Sequence, residues 1–274
     1  MLHRKLRHDR GALRACIHLS VRAAMTAFED HFSRLAATYA NFRPRYPSAL
    51  FDYLGQCCRQ RELAWDCACG SGQATLDLAQ RFTAVLATDA SEAQLAAAPP
   101  HPKVRYRVAS AEASGLAAAS VDIVTVAQAL HWFELAPFYA EVDRVLRPRG
   151  VLAAWTYGVL HVAGDPIERL MQEFYWDTLN SYWPAERHFV ESGYSTLAFA
   201  FAEMTPPTFE MQEHWSLQQL IGYVRSWSAT ARYLERNGVD PAAALEESLA
   251  RLWGEPDELR RISWPLSLRI GVKA

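Results

Sequence analysis

The sequence contains no apolar run of about 18 residues, the length a membrane-spanning helix needs. It also lacks an excess of either charge. The 28 Lys and Arg oppose 30 Asp and Glu, a net charge of −2 that gives no overall attraction to nucleic acid. Cysteine is scarce: Cys16, Cys57, Cys58, Cys67 and Cys69 are odd in number and include no Cys-x-x-Cys pair. That pattern argues against a disulfide framework and against a zinc site, and for free thiols in a reducing compartment. No internal repeat or low-complexity linker divides the chain. Its 274 residues suffice for one large domain or two and for a substantial core.

What is present is organised around Leu63-Ala64-Trp65-Asp66-Cys67-Ala68-Cys69-Gly70-Ser71-Gly72-Gln73. Apolar residues lead to an acid, then to a turn of small residues with glycines two apart, and a helical run from Ala74 to Phe82 follows at once. The pattern predicts a strand, a tight loop and a helix whose N-terminus points at a ligand. Gly70 and Gly72 permit left-handed backbone and let a ligand approach closely. A dinucleotide fingerprint would place a third glycine where Thr75 stands, so a dehydrogenase reading fails there.

The segment resembles motif I of the class I S-adenosylmethionine-dependent methyltransferases. The resemblance implies a Rossmann-like, doubly wound α/β fold with a seven-stranded sheet whose last strand is antiparallel. It implies S-adenosyl-L-methionine as cofactor, held by Asp66, Cys67, Gly70 and Gly72. Strand 2, Ala84 to Asp89, ends in an acid 19 residues beyond Gly70, where one carboxylate can accept from both hydroxyls of a ribose. Asp89 could instead cap the helix at Ser91. The family pattern adds Ala90, the turn Ser110-Ala111-Glu112 as an adenine contact, and Gln128 at the end of strand 4.

Residues 1–25 form a basic extension, with Arg4, Lys5, Arg7, Arg10, Arg14 and Arg22 against the single acid Asp9. They read as an upstream region before a working start at Met25, or as a mitochondrial presequence. The expected location is cytoplasmic, or mitochondrial under the second reading. Phe28, Phe32, Leu35 and Tyr39 fall at helical spacing, and the helix must end before Pro44. Tyr39 to Pro47 then resembles a segment of small-molecule methyltransferases, which implies a lid bringing Tyr39 and Arg43 or Arg45 to the cofactor. Its plainer reading is a helix stop and an extended connector.

Ser48 is expected to cap a helix that leads into strand 1. Strand 3 is Val104 to Ala109, and strand 4 is the nearly all-apolar Val121 to Leu130, as a buried parallel strand should be. The following His131-Trp132-Phe133, the Arg144-Val145-Leu146-Arg147-Pro148-x-Gly150 stop and Trp155-x-Tyr157 resemble the trans-aconitate methyltransferase-like branch, which esterifies small carboxylic acids. That places His131, Trp132 and Tyr157 at the substrate, with His131 also the candidate catalytic base. Residues 158–207, with nine aromatics, read as a helical cap inserted into a single domain of residues 26–274. The core is then 48–157 and 208–274. A long helix from Leu217 to about Arg236 would carry Arg225 and Arg232 on one shoulder of an apolar stripe, as a clamp for a carboxylate.

The expected function is therefore methyl transfer to a small molecule, most simply to a carboxylate, which needs no general base at neutral pH. Two alternatives stand beside it. One is transfer to a hydroxyl or amine of a neutral molecule, with His131 taking the proton. The other is a non-catalytic subunit of the same fold. A small-molecule substrate is expected, with no nucleic-acid, membrane or metal partner; oligomeric state is open.

Overall fold

The computed structural model describes residues 44–274 apart from Pro256. Residues 1–43, with the basic extension, the first predicted helix, Tyr39 and Arg43, lie outside the described residues. Helix α1 (Ser48–Cys57) leads to β1 (Leu63–Cys67), α2 (Gln73–Arg81), β2 (Ala84–Asp89), the short α3 (Glu92–Ala96) and β3 (Val104–Val108). Then come β4 (Val121–Ala127), α4 (Leu135–Val145) and β5 (Leu146–Tyr157).

Strands β1 to β5 pair in parallel in the order β3-β2-β1-β4-β5. The order reverses between β1 and β4, so the carboxyl ends of these two strands flank a crevice. Side chains alternate across the sheet as period-two geometry requires. Ala64, Val151, Ala153, Trp155 and Tyr157 join the core that α1 and α2 cover with Leu50, Phe51, Leu54 and Leu78. Trp65, Cys67, Leu152 and Ala154 face the other way, against Phe138, Val142 and Val145 of α4. Asp122, buried in β4, accepts from the amides of Glu62 and Leu63 at 2.8 and 2.9 Å and from Arg147 at 2.6 Å. One carboxylate thus ties together the starts of three strands.

The second half of the chain adds β6 (His161–Val162), α5 (Asp165–Glu173), α6 (Arg187–Glu191), β7 (Ala202–Met204) and β8 (Phe209–Trp215). It ends with α7 (Leu217–Arg225), α8 (Ser228–Asn237), α9 (Pro241–Trp253) and the 13-residue β9 (Arg260–Val272). Strand β9 is antiparallel to β5, and further along to β6, on one side, and to β7 and β8 on the other. The sheet therefore has nine strands, not seven, because residues 158–207 contribute two short strands as well as helices. The break between β7 and β8 contains Pro206 and Pro207, which have no amide hydrogen for a ladder.

Two local expectations are corrected. Ser48 is the first helical residue, Pro47 occupies the cap position, and the Ser48 hydroxyl accepts from Arg81 instead. The single helix from Leu217 is broken at Ser226-Trp227. The Ser226 hydroxyl donates to the Tyr223 carbonyl at 2.5 Å, and Trp227 is extended at φ −71° and ψ 138°. Serine competing for the backbone in this way favours a helix end.

Candidate functional site

The turn after β1 is held from below. Asp66 has no exposed surface and accepts from Thr75 Oγ1 at 2.6 Å and from Thr125 Oγ1 at 2.9 Å. Thr75, the residue that breaks the dinucleotide pattern, thus supplies the hydrogen bond that fixes the acid. Burial pushes the Asp66 carboxyl up to about 6, against the two hydroxyls that lower it and with repulsion from Asp89 adding to the rise. The turn itself needs positive φ at Ala68 (53°), Gly70 (56°) and Gly72 (84°). A Cβ on Gly72 would lie 2.9 Å from the Tyr106 hydroxyl.

At the end of β2, Asp89 accepts from the Gly70 amide through one carboxylate oxygen and from the Ser91 amide through the other, both at 2.8 Å. Each oxygen keeps a second lone pair for a ligand. The cap of α3 is Ser91, whose hydroxyl accepts from Gln94, so Asp89 fixes the glycine turn and is not the cap. Above the turn lies a cleft of about 750 Å³, lined among others by Tyr46, Gly70, Gln73, Asp89 and Gln128. Gln73 donates to the Pro44 carbonyl, while its Oε1 is buried without a hydrogen-bond partner among the described residues. A buried acceptor of this kind is costly unless a ligand supplies a donor.

A second cleft of about 1140 Å³ opens beside the first, and the two share Gln94, Gln128 and Trp132 as their common wall. Its lining is rich in aromatics, among them Tyr157, Tyr175, Trp183, Tyr223 and Trp227. Its formal charges, among the described residues, are Arg187 and Arg232; no acid lines it. The Arg187 guanidinium lies 4.7 Å from the Trp183 ring centre and 5.5 Å from that of Tyr175, and its Nε donates to the Tyr175 hydroxyl at 2.7 Å. Glu191, outside the lining, accepts from Tyr175 at 2.7 Å and stands 3.9 Å from Arg187.

On the common wall, Gln128 holds φ +57°, a conformation that is uncommon away from glycine and that clusters at functional sites. His131 follows on a short 3-10 turn, Leu130–Trp132, with its Nδ1 2.9 Å from the Tyr194 hydroxyl. Burial, with the Arg187 charge, pushes His131 down to about 4, so its imidazole is neutral at pH 7.

The model of the methyltransferase domain family matches residues 65–154. A methyltransferase of Dictyostelium discoideum is 33% identical over 254 residues, 90% of this chain and 97% of that protein. The solved structure of a type II methyltransferase of Anaeromyxobacter dehalogenans is 46% identical, with a TM-score of 0.81 over 84% of this chain and 98% of that one. The chain belongs to the class I S-adenosylmethionine-dependent methyltransferases. A Saccharomyces cerevisiae S-adenosylmethionine-dependent methyltransferase is 33% identical over 131 residues, 44% of this chain and 45% of that protein.

The cofactor of this methyltransferase is S-adenosylmethionine, and the first cleft suits it. Asp89 is placed for a diol, the turn is free of obstructing side chains, and Gln73 Oε1 lacks a donor that an amine would supply. Of the residues expected at the cofactor, Asp66, Gly70, Asp89 and Gln128 line this cleft, Asp66 from beneath its surface. Cys67 is buried in β1, Gly72 caps α2, and Ala90 is exposed; none of the three lines it, nor do Ala111 and Glu112. Ala109 donates to the Asp89 carbonyl at 3.1 Å, so the turn carrying Glu112 starts beside Asp89.

Of the residues expected at the substrate, His131, Trp132, Tyr157 and Arg232 line the second cleft. Arg225 does not. The helix break turns it toward α9, where it pairs with Asp240 and Glu246, both at 2.9 Å. Its place in the cleft is taken by Arg187, from the aromatic insertion. Gln73 had a readable signal as the first helical residue after the glycine turn; Arg187 had none, because only the folded insertion carries α6 to the cleft.

Proposed function

We propose that this methyltransferase esterifies a small carboxylic acid, as the trans-aconitate methyltransferase-like branch does. The observation that carries the reading is the charge of the second cleft: Arg187 and Arg232 among aromatic walls, with no acid in the lining. An anion with an apolar body fits such a surface. Guanidiniums bind carboxylates in bidentate fashion, and the stacking on Trp183 and Tyr175 orients Arg187 before the substrate arrives.

Bound in the first cleft, S-adenosylmethionine supplies an electrophilic methyl group on a sulfonium. The chain's own residues align the acid across the wall of Gln128 and Trp132, and alignment of this kind provides much of the rate. A carboxylate attacks without losing a proton, and the aromatic walls exclude water where opposite charges meet. The free thiols Cys57, Cys58, Cys67 and Cys69 are consistent with a reducing compartment, the cytoplasm in the simplest case.

The test is transfer of a labelled methyl group to a panel of small carboxylic acids and their amides. Esters should form and amides should not react. Arg187→Gln or Arg232→Gln should each raise the KM for the acid by about 10-fold or more, from the loss of a charged hydrogen bond. Turnover of neutral molecules alone would overturn the reading.

A further inference from the structure

Tyr194, outside every sequence motif, is fully buried and sits at φ +63° directly after Gly193 at φ +61°. Its turn is clamped from β9. Arg269 Nη1 donates to the Tyr194 carbonyl at 3.0 Å and to the Leu197 carbonyl at 2.5 Å, and the Tyr194 amide donates to the Phe189 carbonyl at 2.8 Å. A bulky residue in left-handed backbone persists where its surroundings over-determine it, and the outlier points to what its side chain does. Here the side chain places its hydroxyl 2.9 Å from His131 Nδ1.

Tyr194 is fully buried, and the hydrogen bond that the described residues give its hydroxyl is the one to His131 Nδ1, at 2.9 Å. The nearby Thr156 hydroxyl donates to Gln128 Oε1 at 2.5 Å, and Gln128 Nε2 donates to the Tyr157 carbonyl at 3.4 Å. A phenol carries one proton to donate, and a buried donor left without an acceptor is costly. A proton on His131 Nδ1 would set two donors face to face and leave the buried phenol proton without an acceptor. The phenol is therefore the donor, Nδ1 the acceptor, and the proton of the neutral imidazole sits on Nε2. Nε2 has no partner among the described residues, and His131 lines the substrate cleft.

We propose that Tyr194 is a positioning residue that holds His131 as its Nε2–H tautomer, so that His131 offers the substrate a hydrogen bond and does not remove a proton. The proposal deepens the carboxylate reading, on which it rests in one respect. A carboxylate needs no base, and an N–H donor can hold one of its oxygens while the other attacks. A hydroxyl or amine acceptor would need the opposite tautomer, with the Nε2 lone pair free.

Nitrogen-15 NMR of the whole protein, without substrate, reads the tautomer directly, with the His131 signals assigned by their loss in His131→Gln. A pyridine-type Nδ1 and a pyrrole-type Nε2 are expected at pH 7; the reverse pattern overturns the proposal. In Tyr194→Phe, which keeps the buried ring, the fixed pattern should give way to exchange averaging, and an unchanged pattern would show that Tyr194 does not set it. Kinetics give an independent reading. The side-chain amide of His131→Gln can present an N–H near the position of Nε2–H, so it should keep kcat/KM within about 10-fold of the parent, while His131→Leu should lose about 100-fold. Equal inactivity of the two would mark His131 as a base. The NMR result contains no substrate, so it can fail while ester formation stands, and ester formation can fail while the tautomer holds.

Discussion

Replacing Asp66 by Asn should change the stability of this methyltransferase in a pH-dependent and signed way. Asp66 is fully buried, and its carboxyl is raised to about 6 in the fold, against an ordinary value near 4 in the unfolded chain. A group raised on folding stabilises fully below its unfolded pKa, and that contribution is lost as pH rises through the folded pKa. The window is thus about pH 4 to about pH 6, and a shift of about two units corresponds to about 3 kcal/mol. His131 works in the opposite sense. Lowered to about 4, it loses stability as pH falls below the ordinary histidine range, so the pH profile of the parent alone does not isolate Asp66. The difference between parent and Asp66→Asn does. The amide can keep both neighbours, one threonine hydroxyl donating to its oxygen and the other accepting from its nitrogen. Urea unfolding of both proteins without cofactor, at several pH values from 4 to 7, should show the variant gaining on the parent by about 3 kcal/mol across the window. A flat difference would refute the reasoning, because it would mean that burial does not hold the carboxyl up.

Asp89→Ala removes the acceptor of two loop amides and the proposed ribose contact, so calorimetry should show cofactor affinity falling by about 10- to 150-fold. An unchanged affinity would remove Asp89 from the site. Gly72→Ala puts a Cβ into left-handed backbone and 2.9 Å from the Tyr106 hydroxyl. A loss of about 1–3 kcal/mol is expected in chemical denaturation, and a variant as stable as the parent would contradict the geometry. Arg225→Ala breaks two half-exposed ion pairs to α9, which should cost at most about 1 kcal/mol. Its KM for a carboxylic acid should stay within about twofold of the parent; a large rise would return Arg225 to the substrate.

Periodicity and local chemistry made the first half of the fold legible. The apolar strand of residues 121–127, the glycine turn and the acid closing β2 are written in adjacent residues, and their hydrogen bonds run between neighbouring elements. The placing of Asp66, Gly70, Asp89, Gln128, His131, Trp132 and Tyr157 around the two clefts was legible for that reason: each stands at or shortly after the carboxyl end of a strand, where a parallel sheet puts its crevice. The second half was less legible because its contacts are distant in sequence. A helical stripe continues through Ser226-Trp227 on paper, but the serine hydroxyl takes the Tyr223 carbonyl and the chain turns, sending Arg225 to α9 and Arg232 to the cleft. No pattern in residues 158–207 announces that β6 and β7 extend the sheet, that Arg187 stacks on Trp183, or that Tyr194 meets His131 across 63 positions. Local sequence determined the first cleft, since a glycine turn and the acids at the ends of two adjacent strands build it. Tertiary packing decided the second cleft, since its charges and the partner of its histidine come from segments that only the folded sheet brings together.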